Sequence, residues 1–297
     1  MTMDPHTRGQ AYLEHLTRTD LELVIRVAGR AAGVTAAEGR PRPERIDALL
    51  ADPALYDAVF APAEEHPEAL VGVSPFLVFA VALERARTEL AHLPYVQEWT
   101  GPRQRIPVFA TEELRTFLDA PDHRLFLAEL LASYTHVAGG TITVRRHGVV
   151  HRRRFSELDL TAMAGLLDLV DEAARPALYR RLGDLALLLT GVFPDHTARH
   201  RFAPIEVDRL ARALDPSGGT RSEALLDAIA VRGAVGLLEQ LGQRWYRLAV
   251  EEVGTRTGTF AALPSVGERF PDARRALNHL TDQHLFPFRA RWFPSPG

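Results

Sequence analysis

The chain of 297 residues contains no cysteine. No disulfide, thiolate nucleophile, iron–sulfur cluster or cysteine-ligated zinc can therefore be built. Lysine is absent too, and all 35 basic residues are arginine. That excludes a Schiff base to pyridoxal phosphate, a Walker A lysine and a kinase-type lysine. A single asparagine, Asn278, occurs. Lysine-free, Arg-, Ala- and Leu-rich usage is the mark of a GC-rich coding bias, so the number of arginines says little about function. Long apolar runs are also missing. The longest, residues 75–83, is about half of the ~20 residues needed to span a bilayer. Residues 1–10 lack the basic-then-apolar pattern of a signal peptide. The expectation is a cytoplasmic protein with no membrane span.

What is present is ordinary globular composition, 46% hydrophobic and 25% charged with a net charge of −3, and a dominant helical periodicity. Ser74 and Pro75 ahead of an apolar run predict an N-cap and first helical position, with a helix to about residue 92. Its first half is apolar on every side and must be buried, while its charged second half must emerge. Leu178, Leu182, Leu185, Leu189 and Val192 predict an amphipathic helix, and Leu237, Leu241, Trp245 and Leu248 predict another. Gly233, Gly236 and Gly242 would weaken the latter by about 1 kcal/mol each, unless a neighbouring backbone approaches closely. Further helices are expected near 11–31, 43–60, 111–137, 159–170, 204–214, 221–231 and 271–285. Residues 93–107 and 193–204 read as loops, and the aromatic tail 286–297 as an extended strap on the surface.

Residues 140–155 differ, being rich in β-branched residues around His147-Gly148, and predict a hairpin of unfixed register. The expected fold class is mainly α, a multi-helix globular bundle with one short β-hairpin. Its organisation is an N-terminal helical half (1–138), an Arg-rich hairpin (139–155) and a C-terminal helical half (156–297), possible parts of one continuous domain.

The segments FLAELLASYTHVAGGTITV (126–144) and YRRLGDLALLLTGVFPD (179–195) resemble an uncharacterised protein family of GC-rich actinobacteria. The resemblance covers about the middle third of the chain. It implies a self-contained domain and supplies no catalytic residues.

Four groups of residues are candidates for chemistry. Asp195, His196 and His200 have the spacing of ligands on one helical turn, which suits a divalent metal, although Arg199 and Arg201 oppose a cation. The alternative is a solvated polar loop. Glu129, Ser133 and His136 would share a stripe if one helix carried them, but about 10 Å separates the ends of that stripe, too far for a triad. Asp184 lies in an apolar stretch. It is a general acid or base if isolated, and a structural ion-pair member if Arg180 or Arg181 reaches it. Arg145, Arg146, Arg152, Arg153 and Arg154 concentrate positive charge on the hairpin and suit an anion or an acidic partner. Near-neutral total charge and the shortage of stacking aromatics argue against nucleic acid. No glycine-rich phosphate loop or Gly-x-Ser-x-Gly elbow occurs.

These features point to a helical accessory or regulatory protein that binds a partner protein or a small ligand without classical catalytic motifs. The other reading is a metal-dependent or acid–base enzyme using Asp195, His196 and His200 in a cleft with His136 or Glu129. In it a divalent metal is the implied cofactor, with Asp184 and His136 as candidate catalytic groups.

Overall fold

The computed structural model describes residues 3–29, 40–65, 72–101, 104–137, 139–146, 149–214, 222–252, 258–286 and 289–294. The chain runs through helices α1 (Pro5–His15), α2 (Arg18–Ala28), α3 (Ile46–Leu50), α4 (Pro53–Glu65) and α5 (Pro75–Leu90). Strands β1 (Val96–Gly101) and β2 (Gln104–Val108) precede α6 (Thr111–Asp119) and α7 (Pro121–Ser133). After strands β3 (Gly139–Arg146) and β4 (Val149–Ser156) come α8 (Leu160–Ala164), α9 (Arg175–Gly191), α10 (Pro194–Arg199) and α11 (Pro204–Leu214). The last elements are α12 (Ser222–Glu252), α13 (Leu263–Glu268), α14 (Phe270–Leu280), a π-helical turn (Thr281–Leu285) and α15 (Arg289–Trp292). The protein is mainly α, with two small two-stranded sheets, β1-β2 and β3-β4. No helix of the described residues is long and apolar enough to cross a membrane.

Local chemistry explains several boundaries. Ser74 Oγ accepts from the Leu77 amide, so the expected cap of α5 forms with Pro75 behind it. The helix expected over 11–31 is two helices, because Thr17 and Asp20 make a reciprocal capping box that starts α2 afresh. The helix expected over 111–137 is also divided: Pro121 opens α7, and a residue before proline is pushed out of the helical region. A loop was expected over 93–107, but β1 and β2 occupy most of it.

Two compact units emerge from the contacts. Unit 1 comprises residues 1–96, 109–135 and 279–293, and unit 2 comprises 97–108, 136–278 and 294–297. In unit 1, α5 packs chiefly on α7. Phe76 to Leu83 are all buried whereas Arg85 is exposed, so α5 is immersed at its start and emerges later, as its composition demands. Among the described residues the tail is not an extended surface strap, because Arg289–Trp292 form α15. Trp292 and Phe293 are buried, with the Phe293 ring stacked on Phe79 at 5.6 Å, because two aromatic side chains gain more from burial than from exposure.

In unit 2 the most extensive packing joins α9 to α12. Residues Leu182 to Gly191 of α9 are all buried, so this half is enclosed on every side rather than amphipathic. Gly183 lets Tyr246 press against the α9 backbone, where a Cβ would come within 2.5 Å of the ring. Of the three glycines noted in α12, Gly242 is the one against which another element closes: a Cβ there would stand 2.4 Å from the Phe270 ring. Gly233 instead holds φ 67°, ψ −175° at a kink, a conformation open to glycine alone. The sole asparagine donates from Nδ2 to the Thr190 and Gly191 carbonyls at 3.0 and 2.6 Å, satisfying acceptors that the end of α9 leaves unpaired.

Gly242→Ala therefore tests packing against propensity. Alanine gains about 1 kcal/mol of helix propensity, while overpacking costs about 1–3 kcal/mol. We expect a net loss in chemical unfolding, since the obstruction is a buried ring. A stabilised variant would show that Phe270 moves aside freely.

Candidate functional site

The hairpin register is now defined. β3 pairs antiparallel with β4, placing Thr141 opposite Arg154, Ile142 opposite Arg153, Thr143 opposite Arg152, Arg145 opposite Val150 and Arg146 opposite Val149. Paired positions share a face of the ribbon, so positions 145, 152 and 154 fall on one face and 146 and 153 on the other. The patch is divided by backbone parity, and the five arginine side chains themselves lie outside the described residues.

Asp184 is buried. It accepts a hydrogen bond from the Tyr246 hydroxyl at 2.9 Å, and Arg180 Nε stands 3.7 Å from its other oxygen. Arg181 turns instead to Glu157 at 3.1 Å. Helical spacing thus singles out Arg180, but the hydrogen bond comes from a tyrosine 62 residues away, which no local pattern announces. The Glu129, Ser133 and His136 stripe does not exist as a helical face. α7 ends at Ser133, whose hydroxyl donates to the Leu130 carbonyl, and His136 lies beyond the helix, exposed. Glu129 is a buried group of unit 1 whose carboxylate meets His15 Nε2 at 3.0 Å.

His196 and His200 sit on α10 and at its C-cap. Both line a unit 2 cavity of about 500 Å³. Pro194 opens this short helix and the Thr197 hydroxyl donates to the Leu189 carbonyl at 2.7 Å, which docks the α10 turn against the end of α9. Asp159, the N-cap of α8, and Thr161 also line it. Phe202 and Glu206 complete the polar and aromatic side, and Leu158, Leu160, Leu189 and Leu238 supply apolar wall. The ring centroids of His196 and His200 are 6.4 Å apart, and Phe202 meets His200 edge-on at 4.5 Å. Burial, then the neighbouring His200, pushes the His196 imidazole below its ordinary range. Asp195 does not line this cavity, and neither do His136 and Glu129.

A second histidine group was missed. In unit 1, Glu89 of α5 meets His279, in the last turn of α14, and His284, in the π-helical turn, with one potential ligand atom from each within 4.8 Å of the others. Among the described residues this is the one such group of three, and Asp195, His196 and His200 do not form another. Glu89 Oε2 lies 3.1 Å from His284 Nε2 and 3.8 Å from His279 Nε2. Burial, then His284, pushes His279 down to about 4, and burial lowers His284 against the opposing pull of Glu89. The sequence signal is H-x4-H, a spacing that an α-helix would splay by about 140°, so periodicity conceals it.

No protein-family model, curated protein or solved structure matches the chain.

Proposed function

We propose that the chain is a small-ligand-binding protein whose site is the cavity beside α8, α10 and α11 in unit 2. The observation that carries this reading is a cavity of about 500 Å³, within the size range of small-molecule sites, into which two imidazoles converge. The His200 amide closes the α10 turn on the His196 and Thr197 carbonyls, but neither imidazole makes a hydrogen bond to another described residue. Their ring nitrogens are therefore available to a ligand. Asp159 Oδ1 accepts from the Ala162 amide and the Thr161 hydroxyl, and Glu206 Oε2 accepts from the Ala203 amide.

Charge narrows the ligand class. Two carboxylates and no described arginine line the cavity, which opposes an anion and suits a neutral or cationic molecule. A lowered His196 is uncharged near neutral pH and offers one donor and one acceptor. The rings of His200 and Phe202 supply surface for a planar group.

The test is a screen of neutral, cationic and anionic planar fragments, read by thermal shift and by saturation in calorimetry. Neutral or cationic fragments should bind, His200→Ala should weaken them about tenfold or more through one lost hydrogen bond, and Leu158→Trp should abolish binding by filling the cavity. Fragments whose affinity ignores both substitutions, or an exclusively anionic set, would overturn the proposal.

A further inference from the structure

We propose that unit 1 carries a binding site for one divalent transition-metal ion, of the zinc or ferrous class, held by Glu89, His279 and His284. This goes beyond the ligand cavity and uses none of its residues.

The backbone supplies the first argument. His279 and His284 are five residues apart, and in a continuous α-helix their side chains would point about 140° away from each other. The chain leaves α-helical hydrogen bonding between them, and Thr281–Leu285 forms a π-helical turn. An i→i+5 turn returns residues five apart to one side of the axis, and such turns concentrate at functional sites. Here it brings the two imidazoles to 6.3 Å between centroids, nearly perpendicular.

The second argument is unsatisfied polarity. Nε2 of His279 and Nε2 of His284 are both buried; that of His279 makes no hydrogen bond, and that of His284 has only Glu89 Oε2 beside it, at 3.1 Å and poorly aligned for one. Two imidazole nitrogens and one carboxylate oxygen face a common space. Buried polar atoms left without partners are costly. A cation accepting three lone pairs removes that cost, and imidazole with carboxylate suits zinc or iron rather than calcium or magnesium.

The outer partners are arranged as metal sites require. His284 Nδ1 lies 2.9 Å from the Tyr56 hydroxyl. If Nδ1–H donates there, the Nε2 lone pair is presented inward, the role that outer hydrogen bonds play for metal-bound histidine. Arg85 Nε donates to Glu89 Oε1 at 2.7 Å, which leaves Oε2 turned toward the histidines. Because Glu89 belongs to α5 while the histidines arrive about 190 residues later, an ion would tie the 279–293 segment to α5. Its binding would then add to the stability of unit 1.

The experiment uses the full chain stripped with chelator and titrated with Co²⁺, then Zn²⁺, under equilibrium dialysis. One equivalent of Co²⁺ should bind, with visible ligand-field absorption, and be displaced by Zn²⁺. At ion concentrations near a hundred times Kd the melting temperature should rise by about 5 °C or more. His284→Gln should abolish binding, while the double variant His196→Ala/His200→Ala should keep it. Should His284→Gln fail to fold, Tyr56→Phe decides, since loss of an outer partner weakens metal sites about 10–100-fold. Absence of stoichiometric binding would overturn the proposal. So would loss in the His196/His200 variant, or affinity unchanged in Tyr56→Phe together with His284→Gln where the latter folds.

Discussion

Replacing Arg274 by methionine is expected to remove about 3–5 kcal/mol from unit 2, because it strips the common partner from two carboxylates. The side chain is 3% exposed. Its guanidinium binds Glu239 through Nε and Glu98 through Nη2, and donates to Asn278 Oδ1 at 3.3 Å through Nη1. Asn278 in turn holds the carbonyls at the end of α9, so the damage reaches the α9 terminus. Arg274→Lys should rescue little: a single ammonium cannot reproduce a planar fork that meets three acceptors. Arg275 donates to Glu98 as well, at 2.7 Å, but is far less buried, and Arg275→Met should cost about 1 kcal/mol or less.

The same cluster sets an acid-side signature. Burial pushes the Glu98 carboxyl up, yet Arg274 and Arg275 together outweigh it and hold Glu98 below the usual carboxylate range. A carboxylate whose folded pKa is depressed contributes stability above its unfolded pKa and loses it as pH falls through the folded value. The wild-type protein should therefore weaken on acidification over that window, and Arg274→Met should show a shallower decline there. Urea unfolding followed by fluorescence of the buried Trp245 at several pH values measures both effects. Equal losses for Arg274→Met and Arg275→Met would show that the buried guanidinium is incidental.

The corresponding change in unit 1 is Arg124→Leu, again expected to cost about 3–5 kcal/mol. Arg124 Nε donates to Glu84 at 2.5 Å, and Nη1 donates to the Leu118 carbonyl and, at 3.1 Å, to that of Asp119. These carbonyls end α6, where the chain turns at Pro121 and no further helical amide reaches them. One side chain thus satisfies a buried carboxylate and a helix terminus. Glu84 would keep Arg87 at 3.1 Å, which moderates the loss. In Arg124→Leu/Glu84→Leu the stranded charge is gone, so part of the stability should return while the cost of the bare carbonyls, about 1–3 kcal/mol, persists. The coupling in that double-mutant cycle is the decisive quantity. Hydrogen exchange should localise the weakening to α5, α6 and α7, and additive effects would contradict the arrangement.

The residues by themselves determined what depends on neighbours a few positions away. The mainly helical class, the Ser74–Pro75 start of α5, its buried first half and the hairpin near 140–155 all follow from capping chemistry, periodicity and β-branching, which act within a turn or two. The same short reach explains the errors. The Thr17 capping box and Pro121 lay in plain view, yet periodicity ran across both, and His136 was placed on a helix that had already ended. Tertiary structure alone decided which polar groups meet. Tyr246 reaches Asp184, Arg274 joins Glu98 to Glu239, and Glu89 faces His279 and His284 because packing closes distances of many tens of residues. A local departure from the helical period, the π-turn at Thr281–Leu285, aligned two histidines that an α-helical reading sends apart. Hydrogen bonds and ligand sites are set by directions at a few ångströms, and those directions exist only once the chain has folded.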